Sequence, residues 1–161
     1  MLQGGMFMSL DNWLHLVHVL SAMVWVGGGL MLSLIAVRVR SSSDPRAIAD
    51  FARLLPFVGI RVLMPSVILV LLTGVGLVLA DSEFHFSQFW VLLALALFAV
   101  AFLIGAVYLS RVAIQLDRAI AEPAQTGAGA AALLNRWLIG YWAVLVVLLV
   151  AVWDMVFKPG T

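Results

Sequence analysis

Two histidines, His15 and His18, stand near the start of the first long apolar stretch of the chain. This stretch, from Trp13 to Val37, contains no Asp, Glu, Lys or Arg. About 20 apolar residues cross the hydrocarbon layer as an α-helix, and an ionisable side chain inside such a helix is a candidate functional group. Because a neutral imidazole binds haem iron, copper or zinc and relays protons near neutral pH, both histidines are candidate ligands.

The spacing of His15 and His18 places their rings on adjacent helical turns. One metal ion could be chelated by both if a third ligand came from elsewhere in the chain, and the candidates are His85, Asp154 and Met155. In the alternative interpretation, His18 forms a hydrogen bond to a neighbouring helix, whereas His15 and His85 are exposed at the membrane interface. The residue types alone leave both interpretations open.

Trp25 and Gly28 follow His18 on the same helical face. His18 and Trp25 are separated by 700° of helical rotation at ~100° per residue, about 20° from the same direction. The glycine run that includes Gly28 allows another helix, or a flat cofactor, to approach the backbone closely. Helix packing alone is the alternative. Trp25 falls near mid-membrane, where its indole N–H needs a hydrogen-bond partner.

The composition identifies a membrane protein. Hydrophobic residues make up 65% of the chain and charged residues 11%, and the mean hydropathy is +1.15. The net charge of +1 offers no basic surface for nucleic-acid binding. The absence of cysteine excludes disulfides, thiolate-bound metals, iron–sulfur clusters and covalently attached haem. A bound metal or haem must therefore use histidine, methionine, carboxylate or backbone ligands.

Four apolar runs predict four transmembrane helices in a single domain over residues 1–161. Their predicted ranges are approximately 13–37, 57–80, 86–110 with a continuation to 121, and 133–157. Pro65 is expected to kink the second helix. A flexible connector with proline and glycine is expected before the last helix. The predicted fold class is all-α, an integral membrane four-helix bundle.

Loop charges predict the orientation. Eight of the nine basic residues fall between helices one and two or between helices three and four. Cytoplasmic loops carry the Lys/Arg excess, so both termini are predicted outside, together with all three histidines. Arg61, at the start of helix two, either snorkels to the inner interface or pairs with a bound anion or propionate. Asp154 and Lys158 are expected to form an ion pair at the outer interface.

The first loop contains a signal for a short amphipathic helix. Asp44 supplies a capping oxygen, and the next residue is a proline, which is favourable at the first helical position. The apolar positions recur with helical spacing at Ile48, Phe51, Ala52 and Leu55. The helix is therefore predicted to lie in the headgroup layer, with Pro56 separating it from helix two.

Three segments of the chain resemble known membrane families. The whole chain resembles a bacterial family, domain of unknown function 2269, through LHLVHVLSAMVWVGGG, RVLMPSVILVLLTGVGLVL and VWDMVFKPG. The first-helix string HVLSAMVWVGG, which contains His18, Trp25 and Gly28, also resembles the copper-resistance protein D and HemJ-type protoporphyrinogen oxidase families. In the HemJ-type family the matching histidine is implicated in binding haem b. The resemblance therefore implies that His18 occupies a haem-ligand position.

These observations lead to one functional expectation and two alternatives. The expectation is haem b binding through His18, with Trp25, Gly28 and Arg61 at the cofactor site, in an electron-transfer or tetrapyrrole-linked role. The first alternative is copper handling, with His18, His15 and His85 as candidate metal ligands and Met155 beside them. The second is a cofactor-free structural or assembly subunit. The expected location is the bacterial cytoplasmic (inner) membrane, with the lipid bilayer and either a redox partner or a second copy as partners.

Overall fold

The structure is a computed structural model that describes residues 10–42, 44–80, 83–121 and 128–160, and these ranges contain no β-strand. The predicted connector before the last helix lies largely outside the described residues. The α-helices are α1 (Leu10–Ser42), α2 (Pro45–Val58), α3 (Met64–Ala80), α4 (Phe89–Leu103), α5 (Ser110–Ala121) and α6 (Ala128–Phe157).

Four helical stretches are long and apolar enough to cross a membrane: Leu10–Ser42, Pro45–Ala80, Phe89–Ala121 and Gly129–Phe157. The predicted all-α, four-helix membrane bundle is therefore confirmed. Successive spans run in opposite directions, so both ends of the described chain lie at one end of the bundle. We call this the outer end, because the loop charges predict it to face outside, and we call the opposite end the inner end.

The spans pack in a row. α1 packs against α3 on one side and against α6 on the other, and α4 packs against α6. Between α3 and α4 no such packed interface forms among the described residues. The second and third spans are therefore separated by a groove, which we call the interhelical groove.

Two π-helical segments interrupt the long helices. Gly59–Leu63 joins α2 to α3, and Ile104–Leu109 joins α4 to α5. The prediction that Pro56 separates the amphipathic helix from the second span is wrong, because Pro56 lies inside α2 and the helix continues. The backbone instead changes register just before Pro65, where the amide of Met64 donates to the carbonyl of Gly59. This wider turn adjusts the backbone close to a proline that cannot donate a hydrogen bond.

The amphipathic helix α2 packs on protein at the inner end of the bundle. Asp44 caps it by accepting a hydrogen bond from the amide of Arg46 at 2.9 Å. The ring of Phe51 meets Trp137 of α6 edge-to-face at 5.6 Å between centroids. The four predicted apolar residues are all buried: Ile48, Phe51, Ala52 and Leu55. The amphipathic face was predicted correctly, but it covers α5 and α6 as well as α1.

Candidate metal site at the outer end

His18 connects α1 to α3 through a side-chain hydrogen bond. Its Nδ1 lies 3.0 Å from Oγ1 of Thr73, and the hydroxyl of Thr73 donates to the carbonyl of Leu69 one turn back along α3. Because the hydroxyl proton is committed to that carbonyl, Oγ1 accepts from the Nδ1–H of His18. The geometry therefore assigns the tautomer in which Nε2 carries a lone pair.

Glycines on α3 create the space for α1. A Cβ atom at Gly74 would lie 3.2 Å from Cε1 of His18, and one at Gly76 would lie 3.3 Å from a methyl group of Leu14. These distances are tighter than ordinary van der Waals contact. The glycines at these positions therefore allow the imidazole to lie directly against the backbone of α3.

His18 and Met155 line the same small cavity at the outer end of the interhelical groove. The cavity has a volume of about 70 Å³. The rest of its lining is almost entirely apolar: Val70, Leu71, Gly74, Val75, Val78, Phe86, Trp90, Val91, Ala94, Leu95 and Phe98. Pockets for organic ligands usually measure about 300–1,000 Å³, so this cavity is matched to an ion or to one or two waters. It brings an imidazole and a thioether to one apolar space.

Asp154 lies beside Met155 in the sequence and is completely buried. Neither of its carboxylate oxygens has a hydrogen-bond partner among the described residues, and the same holds for the buried indole Nε1 of Trp90. Burying a carboxylate in apolar surroundings is costly unless it is neutralised or compensated by a nearby cation. The outer end of α6 therefore carries a buried carboxylate that has no hydrogen-bond partner among the described residues, next to the cavity-lining methionine.

The predicted ion pair between Asp154 and Lys158 does not form. The amide of Lys158 donates to the backbone carbonyl of Asp154 at 2.8 Å. The ammonium group lies over the rings of Phe84 and Trp90, 4.3 and 5.3 Å from their centroids. The side chain of Lys158 therefore makes cation–π contacts with rings in and just before α4.

His15 and His85 lie apart from this cavity. His15 is exposed, and its Nδ1 lies 3.1 Å from the backbone carbonyl of Asp11. His85 is exposed in the loop before α4, where its backbone amide donates to the side chain of Gln88 at 3.1 Å. Within the described ranges, no cluster of three or more His, Cys, Asp or Glu residues could hold a metal. Among the candidate metal ligands, His18 and Met155 line the cavity, whereas His15, His85 and Asp154 are not part of its lining.

The other predicted cofactor residues lie farther from the outer end than His18 does. Trp25 is 6% exposed and meets the ring of Phe98 edge-to-face at 5.8 Å between centroids. A Cβ atom at Gly28 would lie 3.3 Å from the side chain of Leu63, so this glycine serves helix packing. Arg61 is exposed, with its guanidinium 5.2 Å from the centroid of the Phe57 ring. The structure thus distributes these residues along the bundle instead of around His18.

Thr73 is the site residue that the sequence analysis missed. The available signal was a hydroxyl side chain, followed by Gly74, inside the apolar run of residues 67–80. Such a pair is typical of a close, hydrogen-bonded helix contact in a membrane. The sequence does not specify which residue of another helix it contacts.

Comparisons with known proteins identify a family. A family model described as a predicted integral membrane protein (DUF2269) matches residues 12–159. No curated protein and no solved structure matches the chain.

Proposed function

This chain belongs to the DUF2269 family of predicted integral membrane proteins, and we propose that it binds monovalent copper, Cu(I), at the outer end of its bundle. One observation carries the proposal. His18 and Met155 line a single cavity of about 70 Å³. Thioether and imidazole groups are the soft and intermediate ligands that Cu(I) prefers, and the chain has no cysteine to compete with them.

The hydrogen bond from His18 to Thr73 supports this proposal. Metal-binding histidines commonly donate their second ring N–H to an oxygen acceptor, which fixes the ring and leaves the other nitrogen free for the metal. Thr73 provides that acceptor at 3.0 Å. The imidazole is therefore held in the tautomer that a ligand through Nε2 requires.

Met155 and Asp154 contribute an exposed side chain and a negative charge to the proposed copper site. Met155 is 37% exposed, so its side chain is not sealed inside the bundle. The neighbouring carboxylate of Asp154 is buried and unpartnered among the described residues. A cation bound at Met155 would reduce the electrostatic cost of burying that carboxylate.

Haem b, which the family resemblance implies, does not fit the residues present. The cavity at His18 is several times smaller than the ~300 Å³ lower limit of common organic ligand pockets. A larger cavity of about 340 Å³ lies nearer the inner end, but no histidine lines it. The dimensions therefore favour a single ion over a tetrapyrrole at His18.

Anaerobic titration of detergent-purified protein with Cu(I), against a chromophoric competing chelator, tests the proposal. His18→Ala and Met155→Ala should each weaken copper binding by about 10-fold or more. His15→Ala and Met23→Ala are matched controls, because both side chains are exposed outside the cavity, and they should bind as the wild type does. Unchanged affinity in both cavity variants would refute the copper site.

Absorption spectra of the same preparations decide between the alternatives. A Soret band that disappears in His18→Ala would establish haem ligation in place of copper. A preparation from haem- and copper-replete cells that has no Soret band and binds no copper would support a cofactor-free structural role, in which the hydrogen bond between His18 and Thr73 only joins two helices.

A further inference from the structure

A second, larger cavity lies in the interhelical groove, nearer the inner end than the contact between Trp25 and Phe98. Its volume is about 340 Å³, within the ~300–1,000 Å³ range of ligand pockets. Aromatic and aliphatic side chains make up most of its lining, among them Trp25, Val67, Leu109 and Trp137. Because α3 and α4 do not close the groove with a packed interface, the cavity faces the surrounding lipid.

Both π-helical segments line this cavity. Gly59, Ile60 and Leu63 belong to the first segment, and Gly105, Ala106 and Leu109 to the second. π-Helical turns are rare and occur frequently at functional sites. Two such segments on the helices that border one cavity point to a site that is built to receive a ligand.

Tyr141 belongs to the lining of the cavity and packs against α1. Its side chain is 4% exposed and lines the cavity, and its hydroxyl has no hydrogen-bond partner among the described residues. Gly29 of α1 lies directly against the Tyr141 ring, which leaves no room there for a Cβ atom. The hydroxyl is closed off by this contact, so Tyr141 contributes apolar surface to the cavity.

The connecting segments at the inner end of the bundle carry a net positive charge. Arg118 and Asp117 line the cavity at its inner margin, and both are exposed. Counted over the sequence, the inner connecting segments contain eight arginines (Arg38, Arg40, Arg46, Arg53, Arg61, Arg111, Arg118, Arg136) and four acidic residues (Asp44, Asp50, Asp117, Glu122). The net positive charge favours an anionic headgroup over a zwitterionic one.

We propose that this cavity is a binding site for an anionic glycerophospholipid. One acyl chain occupies the apolar space, and the phosphate lies near Arg118 at the inner interface. This site is separate from the proposed copper site, since Trp25 and Phe98 lie between the two cavities.

Native mass spectrometry of the intact protein, titrated with phosphatidylglycerol or phosphatidylcholine, tests the lipid site. A Cβ atom at Gly105 meets nothing within 4 Å, so Gly105→Leu should fill the cavity, and Gly59→Leu should fill it from the opposite segment for the same reason. Gly27→Leu is the matched control, since its Cβ also meets nothing within 4 Å but Gly27 does not line the cavity.

The wild type and Gly27→Leu should retain phosphatidylglycerol in preference to phosphatidylcholine, and both cavity-filling variants should lose it. Arg118→Gln should reduce the preference for the anionic lipid. Equal lipid retention in Gly105→Leu, Gly59→Leu and Gly27→Leu, or no preference for the anionic lipid, would overturn the proposal. Copper affinity of the folded Gly105→Leu variant should stay at the wild-type value, so the two proposals fail independently.

Discussion

His18 and Thr73 join the first and second spans of this bundle through an imidazole and a hydroxyl 3.0 Å apart. The hydroxyl donates to the backbone carbonyl of Leu69, so it can only accept from the ring. A single helix contact therefore fixes both the rotation of α1 against α3 and the protonated nitrogen of His18.

Replacing the acceptor tests this contact. Thr73→Val keeps the shape of the side chain but removes the oxygen, which should cost about 0.6–1 kcal/mol of unfolding free energy and weaken Cu(I) binding about 10- to 100-fold. Thr73→Ser keeps the oxygen and should restore most of the copper affinity. The measurement is competitive Cu(I) titration combined with thermal unfolding in detergent. Wild-type copper affinity in Thr73→Val would show that the hydroxyl does not orient a ligand.

Two neighbouring glycines of α1 should respond oppositely to alanine. At Gly29 an added Cβ would collide with the ring of Tyr141, whereas at Gly27 it meets nothing within 4 Å. Gly29→Ala should therefore lower the thermal unfolding midpoint, by a loss of about 1–3 kcal/mol from overpacking. Gly27→Ala should be neutral or stabilising because alanine favours the helix. Equal midpoints for the two variants would contradict the described contact between α1 and α6.

Replacing Asp154 should affect the stability of the protein and its affinity for copper differently. Because its carboxylate is buried without a partner among the described residues, Asp154→Leu should leave the unfolding free energy unchanged or raise it. The same change should weaken Cu(I) binding, since a nearby negative charge is removed. Thermal unfolding and copper titration of one preparation measure both effects. A strong loss of stability would indicate that Asp154 has a structural partner.

The orientation of the bundle can be measured by cysteine labelling, because the chain has no cysteine of its own. Ser42 and Ser87 are exposed at opposite ends of the bundle. A membrane-impermeant maleimide added to intact cells should label Ser87→Cys but not Ser42→Cys, because the arginine-rich loops are predicted inside. Labelling of Ser42→Cys from outside would reverse the orientation and place the His18 cavity at the cytoplasmic side.

The sequence predicts the features of this protein that depend on local patterns. Four apolar runs of sufficient length predict the spans, and the helical spacing of Ile48, Phe51, Ala52 and Leu55 predicts the buried face of α2. The cap at Asp44 follows from its position before Pro45. These features need no knowledge of how one helix is rotated against another.

Which residues form the site depends on how the helices are rotated against each other. The sequence predicts these residues only in part. His18 and Met155 could be singled out by residue type, but the contact of His18 with Thr73 requires the relative rotation of α1 and α3. The sequence analysis also placed His18 and Trp25 on the same face of α1. The two residues are seven positions apart, however, and the helix rises by about 10 Å over that distance, so their side chains line different cavities. The prediction that Pro56 separates α2 from the second span was wrong because the helix continues through this proline.

The row-like packing of the spans divides the chain into two helical hairpins, one containing α1 and α3 and the other α4 and α6. Each hairpin is contiguous in sequence, so the first can insert into the bilayer and pair internally before the second is synthesised. Most contacts between the two hairpins run along the seam of α1 and α6, where Gly29 meets Tyr141. We therefore expect docking of the hairpins to be the last step of biogenesis, and expect a seam-disrupting variant to yield an inserted but unassembled chain.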